Sequence, residues 1–219
     1  MFEVIAIDGP SGAGKGTVAR AVAKALGWSH VDTGAMYRAV AWLTLHLGSQ
    51  VDDEERVAQV ARSAEFQIDM ERIVINGHDV TALIRTPAID VAAASVARMP
   101  RVREELVARQ RAYVAAGPVV MEGRDIGTVV FQDAKVKIYL DASPEERASR
   151  RAKDPAHDLS RAGEIGVVAN ALEARDRSDR TRITSPLTRA DDAILIDTTG
   201  VAVHEVVDQV LEIVRKTPH

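Results

Sequence analysis

The residues with the clearest chemical meaning run together as Gly9, Pro10, Ser11, Gly12, Ala13, Gly14, Lys15, Gly16 and Thr17. Glycines let a backbone curl around an anion and turn its N–H groups inward. Lys15 adds an ammonium able to reach the β- and γ-phosphates of a nucleotide. A helix opening beside it aims unpaired N–H groups and the positive end of its dipole at the same point. The pattern predicts a nucleoside triphosphate site. After Lys15 stands Gly16, where the commonest form of the loop has a Ser or Thr for magnesium, and Thr17 follows one place later. Mg2+ is the expected cofactor, with Thr17 or Asp8 as its candidate protein contact.

A second set of anion-binding groups lies downstream. Asp32-Thr33-Gly34 reads as a helix start with Thr33 as a candidate cap, and Arg38 follows about one turn later, so that Thr33 and Arg38 can address one phosphate. Arg124 and Asp125 follow the apolar run Pro118-Val119-Val120-Met121. In an open α/β sheet, ligands bind beyond the carboxyl ends of the strands. Residues 147–189 hold 10 Lys and Arg against 6 Asp and Glu, a local balance of +4 in a chain of net charge −4. That asymmetry points to a polyanion. The run Arg175 to Arg182 follows a helical stretch, and the polar segment Asp154 to Gly166 before it reads as a flap that could carry cations over a triphosphate.

The elements that must position these groups alternate between strand and helix. Val4 to Asp8 is a buried strand, and Val18, Val22, Ala25 and Leu26 form a helical stripe closed by Gly27. Trp28 to Val31 is a short strand, followed by a helix from Asp32 to about Leu47. A surface helix spans Asp52 to Ala64, and Phe66 to Ile68 with Ile73 to Ile75 before the Asn76-Gly77 turn form a small antiparallel ribbon. Helices follow at Thr86 to Ala97 and Arg101 to Ala116. Arg101, Arg109 and Arg111 read as its solvated face. Val136 to Leu140 is a strand, Ser143-Pro144-Glu145-Glu146 a capping box, Ala193 to Asp197 the last strand, and Val201 to Lys216 a closing helix with Val203, Val206, Val207, Val210, Leu211 and Val214 inward. Asp197-Thr198-Thr199-Gly200 matches the D-x-x-G of GTPase switches. It falls after the last strand, and no N-K-x-D accompanies it, so it carries no weight.

The chain of 219 residues suits one α/β domain. A net charge of −4 and a pI of about 5.9 argue against broad binding to nucleic acid or an acidic membrane. There is no cysteine, hence no disulfide or thiolate chemistry. A strand that starts by residue 3 or 4 and the absence of a long apolar run predict no signal peptide and no membrane span. The default expectation is a cytoplasmic enzyme. An acceptor that itself carries a phosphate suits these residues, because its oxygen is already ionised near pH 7 and needs positioning and charge neutralisation more than a base. A kinase acting on a hydroxyl, of shikimate type, stays open with Asp32 or Asp125 as base. An ATP-dependent switch or RNA-binding module is disfavoured by the acidic charge and few aromatics.

Taken as a set, residues 7–17, 32–38, Ile84-Arg85-Thr86, Pro100-Arg101-Val102-Arg103, 123–131 and 175–182 resemble the bacterial cytidylate (CMP) kinases, of the nucleoside monophosphate kinase group of P-loop kinases. The resemblance spans essentially the whole chain. It implies a three-layer α/β fold with a five-stranded parallel sheet, a core at 1–32, 101–150 and 183–219, an acceptor-binding insertion at about 33–100 that carries the ribbon, and an Arg-rich lid at about 151–182. It implies that ATP-Mg2+ sits on Gly9 to Thr17, with Lys15, Arg124 and Arg182 in catalysis. Thr33, Tyr37, Arg38, Arg103, Arg124, Asp125, Arg175 and Asp179 would bind CMP: Thr33, Arg38 and Arg124 its phosphate, Arg103 and Asp125 the cytosine edge, Arg175 and Asp179 the ribose. Arg150 and Arg151 would contact phosphates from the lid. It implies phosphorylation of CMP and dCMP by a monomer, with UMP a poor acceptor or, as an alternative, the main one. A serine expected to help recognise cytosine falls where this chain has Ala94, with Ser95 one step late. Either the helix shifts by a residue or that contact is absent.

Overall fold

In the computed structural model, residues 4–154 and 165–218 are described. Strand β1, Val4–Asp8, is buried along its whole length. Successive side chains of a strand point to opposite faces, so Val4 and Ala6 enter one core and Ile5 and Ile7 the other. This division sets up the layers. The phosphate loop leads into α1, Lys15–Leu26, which stops at Gly27 with φ 68°. Next come β2 (Ser29–Asp32), α2 (Thr33–His46) and α3 (Glu54–Ser63). Strands β3 (Phe66–Ile68), β4 (Ile73–Ile75) and β5 (His78–Asp79) form a separate antiparallel sheet, so the expected ribbon has a third strand beyond its Asn76-Gly77 turn.

Helix α4 spans Pro87–Val96 and α5 Pro100–Ala112. The helix expected to reach Ala116 tightens into a 3-10 turn at Tyr113–Ala116. Strand β6, Val119–Gly123, ends in a single π-helical turn, Ile126–Val130. Strand β7 is Val136–Asp141, and α6 is Pro144–Ala152, whose Ser143 cap accepts from the Glu146 N–H as the capping box predicts. Helix α7, Ile165–Thr181, contains most of the arginine run expected to follow a helix. The expected flap, Asp154 to Gly166, lies for the most part outside the described residues. Strand β8 (Ile194–Asp197) and α8 (Val203–Lys216) close the chain.

The main sheet has five parallel strands in the order β2-β6-β1-β7-β8. One face packs against α2 to α5 through residues such as Met36, Val40, Val96 and Leu106, and the other against α1 and α8 through Val18, Val22, Val206 and Val210. Val203 is an exception to its predicted inward stripe: at the first position of α8 it lies beyond the covering layer and is 49% exposed. Parallel register places Asp8 opposite Gly123 and Asp32 opposite Glu122. The carboxyl ends of β1, β2 and β6 therefore open onto one edge, where strand order reverses around β1.

Candidate active site

A cleft of about 930 Å3 opens at that edge. One end is the phosphate loop. A Cβ at Gly9, where φ is 148°, would overlap the Leu140 carbonyl, and one at Gly12, where φ is 81°, would stand 3.0 Å from Arg147. Only glycine lets the loop lie so close to β7 and α6. Gly14 caps α1, and the helix opens on Lys15, as the sequence predicts. Lys15 Nζ donates to the Pro10 carbonyl at 2.6 Å. Burial, with Arg124 next, lowers its pKa to about 7 against the pull of Glu122 and Asp176. Helix α7 latches onto the loop. Asp176 accepts from the Ser11 N–H at 2.9 Å and pairs with Arg147, which donates to the Ser11 carbonyl at 2.9 Å.

The other end is assembled from side chains. Asp32, rather than Thr33, caps α2 by accepting the Ala35 N–H, and it holds Arg38 at 2.9 Å. Burial would raise the Asp32 carboxyl, but the Arg38 guanidinium and the Ala35 N–H hold it down to about 2. Thr33 Oγ1 instead donates to the Glu122 carbonyl at 2.7 Å. Arg124 Nε donates to Asp179 at 3.0 Å. Buried Arg103 pairs with Asp125, and Arg182 lies 3.6 Å from Asp125 and 3.4 Å from Asp179. The Tyr37 ring lies 5.5 Å from the Arg103 guanidinium, a cation–π distance, and burial pushes its hydroxyl up to about 12. Arg175 reaches across to Asp90 of α4 at 2.8 Å.

Among the described residues, Arg38 Nε, Arg103 Nε and Arg182 Nη2 are buried atoms with no hydrogen-bond partner. All three belong to residues that line the cleft. The lid candidates also reach the cleft. Arg150 donates to Thr198 Oγ1 at 2.8 Å, and Arg151 to Ser11 Oγ at 3.2 Å. Arg101, Arg109 and Arg111 stay outside the site: Arg101 pairs with Glu55, while Arg109 and Arg111 cap the carbonyls of Arg62 and of Val129 and Val130.

Asp8, the other candidate magnesium contact, lies behind the cleft. Its two oxygens accept the N–H groups of Ile126 and Gly127, each at 2.8 Å, and it does not line the cleft. Burial pushes its carboxyl up to about 6. Its work is to hold the π-helical turn behind Arg124 and Asp125. Thr17 does line the cleft. Ala94 lines it too, whereas Ser95 is exposed and does not, so the helix has not shifted to bring the hydroxyl inward. Residue patterns missed Glu122, Asp90 and Asp176. Each is an ordinary acid in sequence, and its partner lies 92, 85 or 29 positions away.

The profile of the family described as cytidylate kinase matches residues 5–216. The chain belongs to the cytidylate kinase family. This family member is 47% identical over 215 residues to the cytidylate kinase of Desulfitobacterium hafniense (strain Y51), covering 95% of this chain and 91% of that one. It is 47% identical over 212 residues to the cytidylate kinase of Caldanaerobacter subterraneus subsp. tengcongensis, covering 97% and 94%. Among solved structures, an unliganded sugar kinase from Janibacter sp. HTCC2649 is similar with a TM-score of 0.51 at 14% identity, over 98% of this chain and 95% of that one. That likeness extends to the fold.

Proposed function

We propose that this cytidylate kinase family member transfers the γ-phosphoryl group of ATP to CMP and dCMP, yielding ADP with CDP or dCDP. The observation that carries the reading is that a glycine-built loop with Lys15 and a set of buried and half-buried, carboxylate-paired arginines form the two ends of one cleft. ATP phosphates would rest on Gly9 to Thr17. The acceptor phosphate would meet Thr33, Arg38 and Arg124. An oxygen of that phosphate attacks the γ-phosphorus as its bond to the bridging oxygen of ADP breaks, and no side-chain base is needed. Lys15, Arg124 and Arg182 would spread the charge that develops. Arg103 and Asp125 would read cytosine, whose N4 amine is a donor and whose N3 and O2 are acceptors. Arg175 would leave Asp90 to meet the ribose with Asp179, with Arg150 and Arg151 on phosphates.

Magnesium fits the site through the nucleotide and Thr17, the member of the candidate pair that lines the cleft. When bound it would neutralise charge on the β- and γ-oxygens. In this reading residues 33–100 form the acceptor-binding insertion, residues 151–182 the lid, and the enzyme works as a cytoplasmic monomer. The direct test is ADP release from ATP-Mg2+ with CMP, dCMP, UMP, AMP, GMP or shikimate, against no acceptor. Turnover with CMP and dCMP should stand far above the rest. Comparable kcat/KM for UMP removes the cytosine preference, and equal hydrolysis without acceptor removes the acceptor site.

A further inference from the structure

Asp90 takes no direct part in the phosphoryl transfer described above, since it does not line the cleft. It stands in the first turn of α4 and reaches across to α7, where its Oδ1 accepts from Arg175 Nη1 at 2.8 Å, with side-chain exposures of 21% and 17%. Its Oδ2 lies 4.0 Å from Arg151 Nη1. Arg151 and Arg175 both line the cleft, so one carboxylate supports two of its cations. Arg175 needs that support. Burial lowers its pKa, Arg124 and Arg38 press the same way, and Asp90 is the largest opposing charge. A second tie holds the helices independently of this pair: Arg98, just past α4, donates to the Ser178 carbonyl at 3.2 Å and to its hydroxyl at 3.1 Å. Arg175 can therefore exchange partners while α4 stays docked on α7.

We propose that Asp90 is a positioning residue that sets the tolerance for the acceptor sugar: it keeps Arg175 paired when the sugar lacks a 2′-hydroxyl, so that deoxyribose is accepted beside ribose. The inference rests on the reading of CMP and dCMP as acceptors, with Arg175 and Asp179 at the sugar. A 2′-hydroxyl can accept from Arg175 while donating to the Asp179 carboxylate. Arg175 then leaves Asp90, which still has Arg151 close by. dCMP offers no such group. A site that relies on a substrate hydroxyl rejects the analogue lacking it, because its own buried donor is left unpaired. Asp90 removes that penalty, since Arg175 stays on its carboxylate. The same pair takes from CMP part of the benefit of its hydroxyl, which brings the two acceptors closer together.

The test is kcat/KM for CMP and for dCMP on the same preparation, a ratio from which any general loss of folded enzyme cancels. Wild type should use both, and a preference for CMP above roughly 100-fold overturns the proposal. In Asp90→Ala and Asp90→Leu the CMP-over-dCMP ratio should rise about ten-fold, mainly through the KM for dCMP. Asp90→Asn keeps an oxygen acceptor for Arg175 and should stay near the wild type. Arg175→Ala should move the ratio the other way, because CMP alone uses that guanidinium. Where turnover is too slow to measure, calorimetric affinities for CMP and dCMP supply the ratio. An unchanged ratio in Asp90→Ala and Asp90→Leu overturns the proposal, and should one of them fail to fold the other decides. A wild type that uses neither acceptor, or an Arg175→Ala variant with an unaltered ratio, overturns the acceptor or ribose reading and this inference with it. Those outcomes are distinct from an Arg175→Ala variant that shifts while both Asp90 variants do not.

Discussion

The phosphate loop and the acceptor end of the cleft are prepared for anions by different means. The loop is one contiguous stretch whose backbone shape is set by glycines at positive φ and by a helix start. The acceptor end takes side chains from α2, α5, α7 and the turn after β6, and pairs Arg38, Arg103, Arg124 and Arg175 with Asp32, Asp125, Asp179 and Asp90. A backbone site is rigid once the fold forms. A site of buried and half-buried guanidinium groups needs internal carboxylates to hold it while empty, and a substrate must compete with those pairs. This contrast predicts that damage to the loop abolishes chemistry, whereas damage to the acceptor end changes which acceptor is used and how stable the protein is.

The sharpest break of the comparison is Lys15→Met, which removes the ammonium and keeps the stem. It should lower kcat on the order of 10²–10³-fold, as removal of one charge-stabilising donor does elsewhere, while CMP binding measured by calorimetry stays unchanged. Loss of CMP binding in that variant would mean that the two ends are not separate. Arg124→Ala should reduce kcat/KM for CMP by about 2–4 kcal/mol of transition-state stabilisation. Activity retained with only a lower melting temperature would reduce Arg124 to a structural partner of Asp179.

A smaller effect sharpens the acceptor end. Ala94→Ser places a hydroxyl on the cleft wall and should raise the CMP-over-UMP ratio of kcat/KM by an amount on the order of 1 kcal/mol, whereas Ser95→Ala, which changes an exposed position outside the cleft, should leave the ratio alone. The smallest effect concerns stability. Asp32 has its folded pKa held down to about 2 from 3.8, so its contribution is present above pH 4 and is lost as pH falls through about 2. Asp32→Asn should therefore destabilise the protein near pH 7 by about 2 kcal/mol, with the gap to the wild type closing in melts at the acid end. A gap that persists at pH 2 would assign the loss to capping or packing instead of to charge.

Much of the fold could be read directly from the chain because its signals are local. Apolar runs, broken in β7 by Lys137, marked β1, β6 and β7, and Gly27 and the Ser143 capping box marked helix ends. Short or unfavoured pieces escaped notice: β5 has only His78 and Asp79, too few for an alternating pattern, and the 3-10 turn at Tyr113–Ala116 continues a helical composition. Arg38, Arg124 and the run from Arg175 to Arg182 could be picked out by their places after a helix start, a strand end and a helical stretch, whereas Arg103 could be named only through family resemblance. By pattern alone Arg103 looked like Arg101, Arg109 and Arg111, and burial separates it from them.

The sequence by itself determined the strand, phosphate loop and helix around Lys15, since glycine conformations and a helix dipole depend on neighbours in the chain. It also determined the abundance of arginine available to a second anion. Only the tertiary structure decided which partner each buried carboxylate meets: Glu122 with His30, Asp90 with Arg175, Asp176 with Arg147 and the loop. Those pairs depend on the register of β2 against β6 and on the docking of α7 against α4 and α6. Through-space charge at a few ångströms has no counterpart in residue spacing along the chain.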